Sequence, residues 1–125
     1  LNIGLLKDRD LRALVRELRD IVEAADERIV KVIIETGLLT EEEKILACQV
    51  VTESEAAFVK TCTGLGPGGA TVEDVRLLRR SLPESVKVKA SGGIRSLETV
   101  RHLIEAGAER LGTSAGVTLV SAFQA

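Results

Sequence analysis

The sequence contains little of what several protein classes require. It has no methionine, tryptophan or tyrosine, only two phenylalanines, and 17 basic against 19 acidic residues. Without aromatic side chains or a surplus of positive charge, the chain lacks the stacking surfaces and the electrostatic attraction of a nucleic-acid-binding protein. No apolar run approaches the roughly 20 residues that a membrane-spanning helix needs. Nucleic acid and membranes are therefore not expected as partners.

Cysteine is also scarce. Cys48 and Cys62 are too few for a disulfide framework, and no secretory signal opens the sequence, so we expect free thiols and a cytoplasmic location. The absence of methionine predicts a fragment or a processed chain, and residues 1–3 are expected to end a strand. The 125 residues, 45% hydrophobic and 29% charged, are typical of a single soluble globular domain over residues 1–125.

Hydrophobic patterning predicts helices that alternate with short strands. Predicted strands cover residues 30–36, 56–61, 86–91 and 110–114. Predicted helices cover residues 8–26, 41–52 and 116–122, with one more after Thr71 and one that ends at Gly107. The strands begin about 25 to 30 residues apart, which is the period of a strand-helix repeat with a parallel sheet. A doubly wound sheet and a (β/α)8 barrel both fit, and four units would make half of a barrel of about 250 residues.

Two lysines are expected on one face of this sheet. Alternation along the strands groups Lys60 with Phe58 and Lys89 with Lys87, opposite the valines that must pack against helices. Both lysines then lie near the carboxyl ends of neighbouring strands, where parallel α/β proteins place their sites. In a structural interpretation each lysine pairs with a carboxylate such as Glu35. In a catalytic one, repulsion between the two ammonium groups yields a neutral amine that can form a Schiff base.

Glycines follow three successive strands at this same end. They are Gly64, the pair Gly92 and Gly93, and Gly112 within residues 112–114. Exposed backbone N–H groups and helix N-termini at such positions bind phosphate. A single glycine after a strand is commonly a turn, but three in register predict a phosphate site.

Four segments resemble deoxyribose-phosphate aldolase, a family of class I aldolases with a (β/α)8 (TIM) barrel. They are VIIETGLL at 32–39, FVKTCTG at 58–64, VKASGGIR at 88–95 and LGTSAGVTLV at 111–120. The resemblance covers essentially the whole chain and corresponds to the C-terminal (βα)4 part of the family. It implies a lyase of carbohydrate and deoxyribonucleotide catabolism that cleaves 2-deoxy-D-ribose 5-phosphate to D-glyceraldehyde 3-phosphate and acetaldehyde.

The resemblance also assigns residues. It implies that Lys60 is the Schiff-base lysine and that Lys89 is the second lysine that tunes it. The sugar phosphate would lie against a set of small residues, with Thr63 lining the site; these are Gly64, Gly92, Gly93 and Ser114. No metal and no organic cofactor is implied.

The sequence departs from the family at three points. Cys62 replaces a usual serine, Ala115 stands where many relatives have a second serine, and the proton-relaying aspartate of the family would lie upstream of Leu1. The alternative function is therefore an inactive or engineered half-barrel that assembles and retains phosphate binding. Because four strands cannot close a barrel, the open sheet predicts a homodimer or a higher homo-oligomer.

Overall fold

The computed structural model describes residues 1–125 as four parallel strands that alternate with helices, which is about half of a (β/α)8 barrel. The strands are β1 (Lys31–Ile33), β2 (Phe58–Lys60), β3 (Lys87–Ser91) and β4 (Arg110–Gly112). The helices are α1 (Ile3–Lys7), α2 (Leu11–Ala24), α3 (Glu41–Ser54), α4 (Val72–Ser81), α5 (Leu97–Glu105) and α6 (Gly116–Gln124), with a 3-10 turn at Thr36–Leu38. The sheet order is β1-β2-β3-β4, as expected for successive strand-helix units.

One face of the sheet is buried beneath the helices. Val32 pairs with Val59, and Val59 pairs with Val88, so three strands align their valines in one row. None of the three is more than 4% exposed. Continuous β-branched side chains are typical of parallel strands covered by helices. This packing leaves the other face, which we call the inner face, for the lysines.

The helices that cover the sheet begin at the caps that the sequence predicts. Thr40 Oγ1 accepts from the N–H of Glu43 at 3.2 Å, and the Glu43 carboxylate accepts from the N–H of Thr40 at 2.8 Å, which completes a capping box for α3. Thr71 Oγ1 likewise accepts from the N–H of Asp74 at the start of α4. The Asp74 carboxylate instead accepts a 2.6 Å hydrogen bond from Lys44 Nζ, which ties α3 to α4.

The prediction for the first residues is wrong. Residues 1–3 do not end a strand but lead into α1, where Asn2 Oδ1 accepts from the N–H of Leu5 at 3.1 Å. Asparagine is among the best N-cap residues because its side chain satisfies a free amide of the first turn. The strand β1 is also shorter than predicted, since Glu35 adopts a left-handed conformation with φ +54° that cannot continue a strand.

The apolar spacing within residues 8–26 and in the helix that ends at Gly107 predicts buried stripes that include Ile21 and Ile104, but both side chains are exposed. Ile21 is 47% exposed because it lies in the last turn of α2, past the buried Leu14 and Leu18. Ile104 is 54% exposed because the helix rotates it about 100° from the buried Leu103.

Both cysteines are free, as predicted, and both are buried. Desolvation raises the pKa of the Cys48 thiol to about 12, so this side chain acts as a small apolar group in the core. None of the helices has the length and the apolar character required to cross a membrane.

Candidate active site

The two lysines of the inner face lie side by side. Lys60 of β2 and Lys89 of β3 are paired in register, so their Cα atoms are separated by about one strand spacing of 4.8 Å. Both side chains are half-buried, and neither Nζ atom forms a hydrogen bond or an ion pair. The alternation argument is therefore confirmed for the placement of this pair.

Lys89 experiences most of the positive charge on this face. Its pKa is lowered from the usual 10.5, first by burial and then by repulsion from Lys60, Lys31 and Arg110. A lysine held in this way deprotonates more readily than an exposed one. The neutral amine is therefore favoured at Lys89, the second lysine of the pair.

The structural interpretation, in which these lysines pair with Glu35, is wrong. The Glu35 carboxylate accepts instead from Thr63, at 2.8 Å from the hydroxyl and at 3.3 and 3.4 Å from the N–H. The left-handed backbone at Glu35 ends the alternation of β1, so the side chain turns away from the lysine face and toward the loop after β2.

An open four-stranded sheet also predicts that the inner face, including Phe58, meets water, and for Phe58 this prediction is wrong. The ring is 5% exposed because cations of the two edge strands cover it. Arg110 Cζ lies 4.8 Å from the ring centroid, and Lys31 Nζ lies 5.8 Å from it, both within the range of cation–π attraction. The inner face thus shields part of its apolar surface with its own side chains.

The glycines form a rim at the carboxyl ends of the strands. Gly92 has φ +101°, and a Cβ atom there would lie 2.5 Å from Cys62 Sγ, so only glycine fits. The helix α6 begins at Gly116, two residues after Ser114, which lines the cavity. Unlike α1 to α5, α6 has no side chain that caps its first turn. Its first amides therefore remain available to an anion.

A cavity of about 420 Å³ joins the lysines to this rim. All seven residues assigned to the site line it, namely Lys60, Thr63, Gly64, Lys89, Gly92, Gly93 and Ser114. The charged residues of its lining are all cations, which suits a negatively charged ligand. The structure brings these residues together, while their individual roles stay predictions.

Two polar residues of the cavity were missed by the sequence analysis, and a third, Thr113, was included only as part of the segment 112–114. Arg95 lies two positions after Gly93 and could have been found as the cation nearest the glycine pair. Ser91 follows Lys89 by two positions, so alternation already placed it on the inner face. Its hydroxyl is buried and has no hydrogen-bond partner. Thr113, which lies within the predicted rim segment 112–114, donates to the carbonyl of Ile94 at 2.6 Å.

Comparisons with known proteins agree with this geometry. No protein-family model matches the chain. A curated deoxyribose-phosphate aldolase from Dictyoglomus turgidum is 54% identical over 121 residues, which cover 97% of this chain and 55% of that protein. A solved aldolase structure aligns with a TM-score of 0.93 and 44% identity over 98% of this chain and 56% of its own. A tetrameric deoxyribose phosphate aldolase from Aeropyrum pernix aligns with a TM-score of 0.84 and 34% identity, covering 92% of this chain and 50% of its own.

The fold and the position of the cavity define the class of this protein. Four parallel strand-helix units, with a cavity at the carboxyl ends of the strands, define about half of a (β/α)8-barrel protein. The resemblance to deoxyribose-phosphate aldolase is confirmed, and the chain spans about half the length of the curated relatives that it matches.

Proposed function

We propose that this chain carries the Schiff-base lysine and the phosphate site of a class I deoxyribose-phosphate aldolase. The observation that supports this best is the single cavity that contains both Lys60 and Lys89 and ends at a glycine rim. The similarity to curated deoxyribose-phosphate aldolases supports the same assignment. The proposed substrate is 2-deoxy-D-ribose 5-phosphate, and the products are D-glyceraldehyde 3-phosphate and acetaldehyde.

The proposed reaction begins at Lys60. Its neutral amine attacks the aldehyde carbon C1, and loss of water gives an iminium ion. Transfer of the C3 hydroxyl proton to water then turns C3 into an aldehyde carbon and breaks the bond between C2 and C3, and the electron pair of that bond moves into an enamine on Lys60. D-Glyceraldehyde 3-phosphate leaves, the enamine is protonated at C2, and water releases acetaldehyde. In this proposal Lys89, which is paired in register with Lys60, is the second lysine that tunes it.

The proposed phosphate position is the rim of the cavity. Gly64, Gly92 and Gly93 offer backbone N–H groups there, Ser114 offers a hydroxyl, and the uncapped N-terminus of α6 adds its amides. Arg95 lines the same cavity and adds a cation to this set. A substrate of this length would then reach from the rim to the lysine pair.

We also propose that the chain acts in the cytoplasm and as a homo-oligomer. The open sheet supports self-association, because each edge strand has unpaired backbone groups. The related aldolase of Aeropyrum pernix is described as tetrameric.

Reductive trapping tests the proposed nucleophile. The chain is incubated with acetaldehyde and borohydride, and the modified lysine is located by peptide mass spectrometry. We expect modification of Lys60 in the parent chain and none in Lys60→Ala, which should keep its fold because removing an inner-face ammonium relieves repulsion. Lys87→Ala is the matched control, since Lys87 lies in β3 but is exposed and does not line the cavity.

The outcomes separate the alternatives. Trapping on Lys89 would reverse the roles of the two lysines. Trapping on Lys60 without cleavage of 2-deoxy-D-ribose 5-phosphate in a parallel assay would favour the inactive assembly module. No trapping on either lysine would contradict the proposed function.

A further inference from the structure

Glu35 occupies an unusual position at the end of β1. It has φ +54° and ψ +67°, a left-handed conformation that is strained for a residue with a side chain. It does not line the cavity. Its backbone nevertheless turns the carboxylate toward Thr63, a residue that does line it. The function of the strained Glu35 is therefore sought in the residues that its carboxylate contacts.

The carboxylate of Glu35 takes up every hydrogen-bond donor of Thr63. The N–H and the hydroxyl of Thr63 both donate to it, and Thr63 Oγ1 in turn accepts from the N–H of Leu65 at 3.1 Å. The only proton of this hydroxyl is therefore already in use, and Thr63 can only accept from a ligand. These bonds fix both the position and the polarity of the first residues of the loop.

The glycine-rich loop, residues 63–69, is held on two sides. A Cβ atom on Gly37 would overlap the carbonyl of Pro67, and one on Gly66 would lie 3.1 Å from the Glu35 carboxylate, so the loop packs directly on the end of β1. On the other side, the N–H of Ala70 donates to the carbonyl of Gly92 at 3.0 Å. Loss of the Glu35 contact would therefore loosen the loop next to Thr63, while the packing of Pro67 on Gly37 and the bond from Ala70 to Gly92 remain.

Electrostatics alone argues against a carboxylate at this place. The charged side chains that line the cavity are cations, and a negative charge behind Thr63 weakens the attraction that these cations exert on a bound anion. A carboxylate here is therefore useful only if the geometry that it imposes on the loop outweighs the repulsion that it adds.

We propose that Glu35 is a positioning residue that holds Thr63 and the glycine-rich loop in the shape that binds the phosphate group. This inference rests on the phosphate site of the proposed function. It predicts opposite effects for two substitutions at one position. Glu35→Gln keeps an acceptor for Thr63 and removes the charge, whereas Glu35→Gly removes the acceptor and also relieves the left-handed backbone.

The test is a titration of the full chain and its variants with inorganic phosphate. Binding is measured from the changes in the NMR chemical shifts of the amides of Gly64, Gly92 and Gly93. We expect binding to Glu35→Gly to be roughly tenfold weaker than to the parent chain, which corresponds to the loss of hydrogen bonds to a charged group. Binding to Glu35→Gln should match or exceed that of the parent. Glu55→Gly is the matched control, because Glu55 is an exposed glutamate with φ +64° that makes no contact with the cavity.

Equal or tighter phosphate binding by Glu35→Gly would overturn the inference, since the carboxylate would then act only through its charge. Equally weak binding by Glu55→Gly would overturn it as well, because the effect would be a general response to glycine. Acetaldehyde trapping at Lys60 distinguishes this result from a failure of the proposed function: it should be the same in the parent chain and in Glu35→Gly, since acetaldehyde carries no phosphate.

Discussion

At the scale of single residues, the site depends on positive charges that the fold forces together. Five cations project from the inner face or its margin, namely Lys31, Lys60, Lys87, Lys89 and Arg110. Two of them shield Phe58, and three of them act on Lys89. The strand lysines have no carboxylate partner, so the repulsion on this face is not relieved within the chain.

Lys89→Leu should change both stability and trapping. The pKa of Lys89 is below 10.5 in the fold, so the fold binds this proton less tightly than the unfolded chain does. The resulting cost to stability is fully present below the lowered pKa and disappears as the pH rises beyond 10.5. Urea denaturation should therefore show Lys89→Leu as the more stable chain at neutral pH, with a difference that shrinks in alkali. Trapping at Lys60 should shift to higher pH, because its positive neighbour is gone.

Lys87→Leu serves as the control, since Lys87 is exposed and should not change the trapping profile. A stability difference for Lys89→Leu that is constant across this pH range would contradict the electrostatic origin. An unchanged trapping profile would leave desolvation as the cause of the amine's reactivity.

The outcome for Glu35 shows where sequence reasoning about side chains fails. Alternation correctly placed Lys60 and Lys89 because both lie within extended strands, where side chains must point to opposite faces in turn. The same rule failed for Glu35, two residues beyond the end of β1, because a left-handed residue breaks the alternation. The sequence Glu-Thr-Gly does not predict a positive φ at the glutamate, because glycine is the residue that usually adopts it.

At the scale of elements, hydrogen-bonding side chains determine where helices begin. The capping box of α3 was predictable from Thr40 and Glu43 because both partners are local and their spacing is fixed. The missing cap of α6 is also a local feature. Its relevance to phosphate binding depends on the fold, which brings the start of α6 next to the glycine rim. The exposed Ile21 and Ile104 depend on which parts of a helix reach the sheet, which periodicity alone does not determine.

Thr40→Ala should destabilise the chain by about 1 kcal/mol, because it leaves the N–H of Glu43 in the first turn of α3 without its acceptor. A lower urea midpoint with an unchanged slope would show this. Thr118→Ala provides the comparison, since Thr118 is exposed in α6 and its side chain makes no hydrogen bond. Equal midpoints for the two variants would contradict a stabilising role for the cap.

At the scale of the whole molecule, the sheet is open. Each of β1 and β4 pairs with a single neighbour, and α6 exposes an apolar stripe at Val117, Val120 and Phe123. The regular strand-helix period predicted a parallel sheet but fitted both a doubly wound sheet and a barrel, and only the resemblance to the aldolase family selected the half-barrel. The sequence did not predict how much of the inner face is self-covered, since the contact of Arg110 with Phe58 joins residues far apart in the chain.

We expect self-association of the chain at micromolar concentration. A second copy of the chain could pair the free backbone groups of the edge strands and bury the exposed stripe of α6. A two-fold contact does this most simply, because both copies contribute the same surface. Light scattering should report a dimer or a larger assembly. Phe123→Ser should shift the distribution toward the monomer, whereas Leu65→Ser, which changes an exposed leucine outside the stripe, should not. A cooperatively unfolding monomer in the parent chain would contradict this expectation.

The sequential order of the strands has a consequence for how the chain folds. Each strand pairs only with the strands next to it in sequence, so every pairing closes a loop of roughly 20 to 30 residues and none spans the whole chain. Topologies with such short sequence separations fold faster than those that depend on distant partners. The sheet can therefore grow by one strand at a time in the direction of synthesis, with β1 and β2 paired before β4 has left the ribosome.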